Sequence, residues 1–564
     1  MKVIIVGGVA GGASAAARLR RLDENAEIKI YERSGYISYA NCGLPYYIGE
    51  VITEPRKLTL QTPESFYKRF RIDAKVHHDV IAIDVNAKTV TVRNLQTGET
   101  FQDHYDKLLL SPGAKAIKPD IPGIDGDTIF TLRTVEDTFH IYDHIKATNA
   151  TSAVVVGGGF IGLETAENLK HLGLDVTIIE AAPQLFSIFD QDMVSQLHGL
   201  FRANGIKLIL NHSVAAFAQE QDKTISTLAN GEKIPADFVL LALGVTPNSD
   251  LAKAAGLQTG LKGSIIVNDR METSVPDIYA VGDAVAVNHY ITGEQTLIPL
   301  AGPANKQGRI AADNMAGGDS HYQGTQGSSI IKLFDYTAAA TGINEKQAKA
   351  AGLDYEKIIL SPAAHASYYP GSTVMTMKVL FERKTNRILG AQIIGLDGVD
   401  KRIDVIATAI RAGMKAIDLA TLELAYAPPY SSAKDPVNLA GYLIENISSG
   451  KVKQFYYEDI AQLPRDGSVF LLDARTPAEY KNGYVEGFIN IPVDEIRDRM
   501  TEIPKDKPIY VMCQSGLRSY IACRILSGLG YDCYNFTGGY RYYNMIAQEQ
   551  LIRTGSYPCG MDQE

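Results

Sequence analysis

Two cysteines in this chain stand where a sulfur atom could do chemistry. Cys42 lies in Ser38-Tyr39-Ala40-Asn41-Cys42-Gly43-Leu44-Pro45-Tyr46 and is the one cysteine in the first 512 residues. It follows the strand-like Ile28-Lys29-Ile30-Tyr31-Glu32, so a cofactor held at the end of that strand would lie near its thiol. A lone cysteine is more often a buried structural residue; the redox reading comes from its setting. Without a second thiol nearby, Cys42 must borrow a partner from a small molecule or cycle through a sulfenic acid. Cys513 opens Cys513-Gln514-Ser515-Gly516-Leu517-Arg518-Ser519, after a buried strand and before a helix. Amide donors converge on a sulfur so placed and favour its anionic form or a persulfide. Arg518 is expected to orient that loop or to bind an anion. Cys523, Cys533 and Cys559 read as structural or incidental, Cys559 as exposed.

The elements that position Cys42 begin at the N-terminus. Val3 to Val6 is a short buried-strand pattern, followed by Gly7-Gly8-Val9-Ala10-Gly11-Gly12, a helix from Ala13 to Arg21 and a strand ending in Glu32. Strand, glycine turn, helix, strand and terminal acid make a dinucleotide-binding unit, in which glycines admit a pyrophosphate and the helix N-terminus supplies amide donors. Val9 replaces the middle glycine, so placement carries the signal. The unit recurs: Ala153-Val154-Val155-Val156 leads into Gly157-Gly158-Gly159-Phe160-Ile161-Gly162, a helix from Leu163 to about Leu172, and Val176-Thr177-Ile178-Ile179-Glu180. Two such units in the right frame imply two dinucleotide sites. An acid at 180, followed by Ala181-Ala182-Pro183 with no arginine, favours a free 2′-hydroxyl and hence NADH over NADPH. Ser111 and Gly113 occupy a tight turn after Leu108-Leu109-Leu110. Asp283 follows Val281-Gly282, where it meets a sugar hydroxyl, caps a helix, or does both.

On these residues the first ~450 positions resemble the FAD-dependent pyridine nucleotide–disulfide oxidoreductases, within them the single-cysteine branch of coenzyme A disulfide reductases, NADH peroxidases and NADH oxidases. Most disulfide reductases of this superfamily carry a Cys-x4-Cys pair; here Cys42 has no second cysteine nearby. The resemblance implies FAD at Gly7, Gly8, Ala10, Gly11, Gly12, Glu32, Arg33, Ser111, Gly113, Gly282, Asp283, Pro299, Leu300 and Ala301, with Asp283 near the ribityl chain. It implies nicotinamide dinucleotide at Gly157, Gly159, Phe160, Ile161, Gly162, Glu180 and Gly244. It also implies coenzyme A at Ser14, Arg18, Arg21, Ser38, Asn41, Arg71, Asn305 and Lys434. Read alone, Arg18 and Arg21 are one helical turn apart and face either phosphates or solvent.

Residues from about 325 to 445 read as a third unit, with strands over Val374–Phe381 and Ile388–Ile394 and helices over Lys401–Arg411 and Val437–Ile447, which the resemblance makes an α+β dimerisation domain. Tyr368, in Ser367-Tyr368-Tyr369-Pro370-Gly371, and Tyr426, in Ala425-Tyr426-Ala427-Pro428-Pro429-Tyr430, read alone as packing beside prolines. The resemblance instead makes them phenols from the second subunit that face the redox cysteine, where a phenol donates a hydrogen bond or a proton to a departing thiolate. After a composition shift near Gly450, the tail resembles a rhodanese domain throughout, with Cys-x-x-Gly-x-Arg-Ser as its specific signal. A cysteine phosphatase loop has one more residue between cysteine and arginine; the four here suit sulfur transfer. Many rhodaneses have Gly-His-Ile where this chain has Gly483-Tyr484-Val485, which removes any role of that histidine.

With 564 residues, several domains are expected. The predicted class is α/β: FAD-binding over 1–150 and 271–324, NADH-binding over 151–270, dimerisation over 325–448, a linker over 449–458 and a rhodanese tail over 459–564. A net charge of −9 argues against nucleic acid as a partner, and no apolar run reaches membrane-spanning length. Five cysteines make no disulfide framework, and Met1-Lys2-Val3 enters a strand at once, so a cytoplasmic protein is expected, with no metal; the resemblance implies a homodimer. The combined expectation is NADH-dependent reduction of persulfide or polysulfide sulfur, with a sulfane sulfur carried on Cys513. Plain coenzyme A disulfide reduction and NADH oxidase or peroxidase chemistry are the alternatives. The linker leaves open whether the tail swings or relies on diffusing coenzyme A.

Overall fold

A computed structural model describes residues 1–554, in two compact units: Met1–Leu185 with Gly205–Gly327, and Phe186–Asn204 with the described residues from Ser328 onward. Cys559 lies outside the described residues.

The first unit holds two parallel five-stranded sheets built on one plan. In the first, Lys2–Val6 is central, flanked by Glu27–Tyr31 and then Asp73–Lys75 on one side, and by Lys107–Leu110 and then Ile278–Ala280 on the other. In the second, Ser152–Val156 is central, flanked by Asp175–Glu180 and Lys207–Leu210, and by Phe238–Leu241 and Ile129–Thr131. Central strands of such sheets are buried on both faces, which is why both read as unbroken aliphatic runs. The helices Ala10–Leu22 and Phe160–His171 follow the two glycine turns.

The second unit contains an antiparallel sheet in the order Ser329–Leu333, Tyr336–Gly342, Ile388–Gly395, Thr376–Glu382, Tyr355–Leu360. The helices Val399–Arg411 and Pro436–Ser448 accompany it, within two residues of the expected bounds. The tail adds a parallel sheet ordered Lys453–Phe455, Cys533–Phe536, Ile509–Met512, Phe470–Asp473, Ile489–Asn490. The linker expected over 449–458 is corrected here. Lys453–Phe455 pairs in register with Tyr534–Phe536, and Tyr457–Ile460 is helical, so most of that stretch belongs to the tail's own fold.

The tail is also bound to its neighbours within this unit. Thr537 Oγ1 accepts from the Ile359 amide and donates to the Ile359 carbonyl, both at 2.9 Å, which occupies the free edge of Tyr355–Leu360. Lys357 pairs with Glu458 at 2.6 Å, and the Tyr542 hydroxyl donates to Asp192. Beneath them, fully buried Lys378 meets Asp190 at 2.9 Å, Asp192 at 2.8 Å, and Glu345. Burial opposes the charge on Lys378, but Asp192, Asp190 and Glu345 outweigh it and hold the ammonium well above its ordinary range. The three converging carboxylates are therefore matched by ammonium groups of Lys378 and Lys357. A buried network of this kind is costly to break one partner at a time. It gives the tail a fixed seat on the dimerisation sheet, not a swinging one.

Candidate functional site

The glycine turns are as tight as a dinucleotide cradle demands. Gly7 has φ +93°, and a Cβ there would lie 2.1 Å from the Ser111 carbonyl oxygen; a Cβ on Gly12 would lie 1.9 Å from the Gly7 oxygen. Gly157 and Gly162 repeat this, at 2.3 Å from Ala242 O and 2.0 Å from Gly157 O, while a Cβ on Gly159 would point into open space. The backbone is thus packed against itself on one side and open on the other, the arrangement that lets amides face a pyrophosphate. Val9 at the middle position sits at the start of the first helix without disturbing it.

Each terminal acid is aimed back at its own loop. Glu32 is buried; its Oε2 accepts from Gly8 N at 2.9 Å and its Oε1 from Ser34 N at 2.9 Å. Glu180 does the same with Gly158 N at 2.7 Å and Ala182 N at 2.8 Å. Amide donors keep both carboxylates fixed and leave lone pairs for ribose hydroxyls. Asp283 lies inside the short turn Gly282–Ala284 and pairs with Arg133 Nη2 at 3.2 Å, so the helix-cap alternative gives way to an ion pair. Gln307, which the sequence reading missed, accepts from Gly282 N at 2.7 Å and ties the helix Ala301–Met315 to this turn. Arg33 is mostly exposed, 3.7 Å from Asp79. Gly113 and Gly244 both take positive φ in turns beside these sheets. These residues fit FAD on the first cradle and a nicotinamide dinucleotide on the second.

The cysteine loop is laid on the first cradle. Ser38 takes the left-handed region, φ +45°, with its amide donating to Gly8 O at 2.8 Å and its carbonyl accepting from Leu60 N at 3.1 Å. A non-glycine residue held there is strained and is kept by the bonds on either side. Asn41 and Cys42 are exposed on the next turn, Asn41–Gly43, which runs into the helix Leu44–Ile48. Burial among its neighbours pushes the Cys42 thiol above its ordinary range, and the carboxylates of Glu164 and Asp283 push it further. The chain alone therefore does not activate this sulfur.

Glu164, another residue the sequence reading passed over, stands two places after Gly162 and accepts from Tyr46 OH at 3.3 Å. Burial raises its carboxyl to about 7, against the opposing hydrogen bond from Tyr46, and Glu167 adds to the rise. A charge near Cys42 thus appears around neutral pH. Below about pH 6 Glu164 is a neutral acid; above about pH 8 it is an anion that disfavours a thiolate. Alkylation of Cys42 in Glu164→Gln is expected to match the unsubstituted protein at pH 5.5 and to run roughly two- to ten-fold faster above pH 8. Identical pH–rate curves would refute this link.

Of the coenzyme A candidates, Ser14 Oγ bonds Asn305 Oδ1, and Arg18 Nε pairs with Asp313 at 2.6 Å, so the first helix and Ala301–Met315 share one polar strip. Arg21 is exposed, and Arg71, left-handed at φ +49°, stacks its guanidinium 5.2 Å from the Tyr67 ring centroid. Pro299, Leu300 and Ala301 open that second helix, with Leu300 at its cap.

In the second unit, the hydroxyls of Tyr368 and Tyr426 meet at 2.8 Å on an exposed surface, and this bond raises the Tyr368 phenol. The two loops are joined by Arg402, which no sequence signal singled out. It is 1% exposed and donates to Ala364 O at 2.9 Å, Tyr430 O at 3.3 Å, Ser431 Oγ at 3.1 Å and Asp435 Oδ2 at 3.0 Å. Asp435 caps Pro436–Ser448 through Val437 N at 2.9 Å, with Lys434 exposed beside it.

In the tail, buried Cys513 Sγ accepts from Gly516 N at 3.1 Å and from Ser519 Oγ at 3.3 Å. Tyr540 N donates to Cys513 O at 2.7 Å, and a Cβ on Gly539 would lie 2.5 Å from Ser515 N, which is why Gly538-Gly539 precedes Tyr540. Arg518 makes a two-pronged bond to Glu479, 2.7 Å on each prong; of its two expected roles, loop orientation is the one its contacts serve. Tyr484, standing where many rhodaneses have histidine, stacks on Tyr480 at 4.8 Å between centroids. Cys523 and Cys533 are buried in the same core cluster as Cys513.

Twin dinucleotide cradles, a lone cysteine on the first and an antiparallel third domain define a flavin-type pyridine nucleotide oxidoreductase. Residues 1–308 match the pyridine nucleotide-disulphide oxidoreductase family, 328–436 its dimerisation domain and 457–545 the rhodanese-like domain; the chain belongs to that family. It is 39% identical over 442 residues to the coenzyme A disulfide reductase of Staphylococcus epidermidis, spanning 78% of this chain and 99% of the relative. The crystal structure of reduced Bacillus anthracis CoADR-RHD is 48% identical, with a TM-score of 0.95 over 97% of this chain and 98% of that one. An NAD-dependent persulfide reductase from A. fulgidus is 38% identical, with a TM-score of 0.90 over 96% and 100%. No helix among the described residues is long and apolar enough to cross a membrane.

Proposed function

We propose that this protein is an NADH-dependent reductase of persulfide or polysulfide sulfur, working as a cytoplasmic homodimer, with a sulfane sulfur carried on Cys513. The observation that carries the reading is the pairing, on one chain, of an unpartnered Cys42 with a sulfur cradle at Cys513. The relatives named for coenzyme A disulfide and for persulfide support the same substrate group. The residues that would hold FAD are Gly7 to Gly12, Glu32, Ser111, Gly113, Gly282, Asp283 and the helix start at Leu300. The chemistry FAD supplies when bound is two-electron transfer from nicotinamide to sulfur. Glu180 and the absence of a following arginine favour NADH over NADPH.

The chain's own residues do the sulfur chemistry. The Cys42 thiolate attacks the inner sulfur of coenzyme A persulfide; the S–S bond breaks, hydrosulfide leaves with the electron pair, and a Cys42–coenzyme A disulfide remains. Two electrons and a proton return Cys42 to thiolate and release coenzyme A thiol. The sum is NADH, a proton and persulfide giving NAD⁺, thiol and hydrogen sulfide. The Tyr368–Tyr426 pair is assigned proton donation to the departing thiolate. Ser14, Arg18, Arg21, Ser38, Asn41, Arg71, Asn305 and Lys434 are assigned to coenzyme A. Cys513 passes its outer sulfur to the coenzyme A thiol and so regenerates the persulfide.

The test is steady-state NADH oxidation with coenzyme A persulfide, polysulfide, coenzyme A disulfide, peroxide and oxygen as acceptors. Coenzyme A persulfide is expected to give the highest kcat/KM, with Cys513→Ser impairing only polymeric or bulky donors. Oxygen or peroxide ahead by orders of magnitude would overturn the proposal.

A further inference from the structure

The Cys513 sulfur has two hydrogen-bond donors, and they differ in kind. Gly516 N reaches Sγ at 3.1 Å and Ser519 Oγ reaches it at 3.3 Å. The amide is fixed by the backbone, since Gly516 takes φ +94° just before the helix Leu517–Gly528. Ser519 is the third residue of that helix and is fully buried, as is Cys513. Its hydroxyl has one proton and two acceptors within reach, Sγ and the Gly516 carbonyl oxygen at 3.1 Å. Rotation about the Cβ–Oγ bond carries the proton from one acceptor to the other. The bond to Gly516 O is redundant, because that oxygen also accepts from Tyr520 N at 3.2 Å. The bond to sulfur is not: Arg518, the preceding residue, turns both Nη atoms to Glu479, which leaves Ser519 as the side chain that donates to Sγ. Such a hydroxyl adds little to the shape of the loop. It gives a sulfur whose charge comes and goes a donor that can follow the charge.

We propose that Ser519 is a catalytic residue of the tail, whose hydroxyl turns onto Cys513 Sγ as that atom becomes a leaving thiolate, and so speeds the release of sulfur rather than its uptake. The inference rests on the sulfane-carrier reading above and concerns its release step. In uptake, the Cys513 thiolate attacks the end sulfur of a polysulfide. That S–S bond breaks, and the shortened polysulfide leaves with the electron pair. Sγ of the resulting persulfide is uncharged, and the hydroxyl can return to Gly516 O. In release, the coenzyme A thiolate attacks the outer sulfur of the Cys513 persulfide. The bond from that sulfur to Sγ breaks, Sγ keeps the electron pair as a thiolate, and coenzyme A persulfide departs with the proton of the outer sulfur. Charge therefore grows on Sγ in the transition state of release, where a positioned donor counts most. A hydrogen bond to a thiolate makes it a better leaving group and a weaker nucleophile. One hydroxyl thus acts in opposite senses on the two half-reactions.

The full-length protein is loaded with polysulfide, freed of excess by gel filtration, and then given cyanide or coenzyme A thiol without NADH, with Cys513→Ser as the blank. Ser519→Ala is expected to slow release by about ten-fold or more. It is also expected to raise the midpoint of the pH–rate curve for loading by about one unit, the effect of losing one hydrogen bond to a charged sulfur. On the alkaline plateau of that curve, loading is expected to be unchanged or up to about three-fold faster. Alanine keeps the helix, and Gly516 O keeps its bond from Tyr520 N. The charged and titratable groups around Cys513 are the same in both proteins: Arg518 with Glu479, Arg475 with Asp473, Arg541 and Cys523. Ser519→Thr retains a hydroxyl and is expected to restore most of the release rate. A loosened loop would slow both half-reactions together. That result on the plateau, release unchanged in Ser519→Ala, or a Ser519→Thr that loads normally yet releases as slowly as Ser519→Ala would each overturn the assignment and leave the carrier role of Cys513 standing. If the loaded, unsubstituted protein yields no thiocyanate above the blank, that role falls and the inference with it.

Discussion

Cys42→Ser is expected to lower NADH-dependent reduction of coenzyme A persulfide by at least about 10³-fold, the scale on which removal of a covalent nucleophile is felt. A serine hydroxyl in this place is neither ionised nor able to form a disulfide, so the mixed intermediate with coenzyme A has no atom to form on. Nothing else nearby replaces it. Among the described residues the other cysteines are Cys513, Cys523 and Cys533, all in the tail and all buried. The substitution is nearly isosteric at an exposed turn, and the Ser38 amide bond to Gly8 O, which places the loop, uses backbone atoms only. FAD content and NADH-dependent reduction of a one-electron dye are therefore expected to survive. Mass spectrometry supplies the second readout. The unsubstituted protein and Cys513→Ser are expected to carry a coenzyme A adduct on Cys42, and Cys42→Ser none. Persulfide reduction that persists in Cys42→Ser, or an adduct that maps elsewhere, would overturn the proposed cycle.

The parts of this site that were legible in the sequence share one property: they are set by local backbone geometry. Gly7, Gly12, Gly157 and Gly162 are dictated by contacts of 1.9 to 2.3 Å that no side chain could share, so the residue type itself is the signal. Glu32 and Glu180 end strands whose period is visible, and Cys513 is followed three residues on by a glycine at φ +94°. What stayed hidden are side chains whose partners are distant in the chain. Arg402 looks like one more charge on an amphipathic helix, and its ligands at 364, 430, 431 and 435 become neighbours only after folding. Arg518 carried a readable motif, but its partner Glu479 lies 39 positions away. Glu164 was within reach, because an acid two places past the last glycine of the second loop must lie on the first turns of that helix. The strand Lys453–Phe455 was lost for a different reason: three residues with one buried side chain give no period to read.

Arg402→Met is expected to destabilise the second unit by about 3–5 kcal/mol, the range for stranding a buried charge. The reason is the company Arg402 keeps. Burial opposes ionisation of Asp435, but Ser431, the Val437 amide and the Arg402 guanidinium outweigh it and hold the carboxyl below its ordinary value. Methionine fills similar volume and removes the charge, leaving buried Asp435 with the more distant Lys401 ammonium at 3.6 Å, and the carbonyls of Ala364 and Tyr430 short of a donor. Because the folded value of Asp435 is depressed, its contribution is present above its unfolded value near 4 and is lost as pH falls through the folded one. The deficit of the variant against the unsubstituted protein is therefore expected to be full at pH 7 and to shrink in acid. Adding Asp435→Asn separates two effects. Asparagine still caps Pro436–Ser448 but brings no charge, so part of the thermal midpoint should return. In both variants the loops bearing Tyr368 and Tyr426 keep the bond from Ala366 N to Ser431 O at 3.0 Å but lose the Arg402 tie, so the 2.8 Å meeting of their hydroxyls is expected to loosen and kcat to remain low. Recovery of kcat together with stability in the double variant would show that Arg402 serves the fold alone and does not position the phenols.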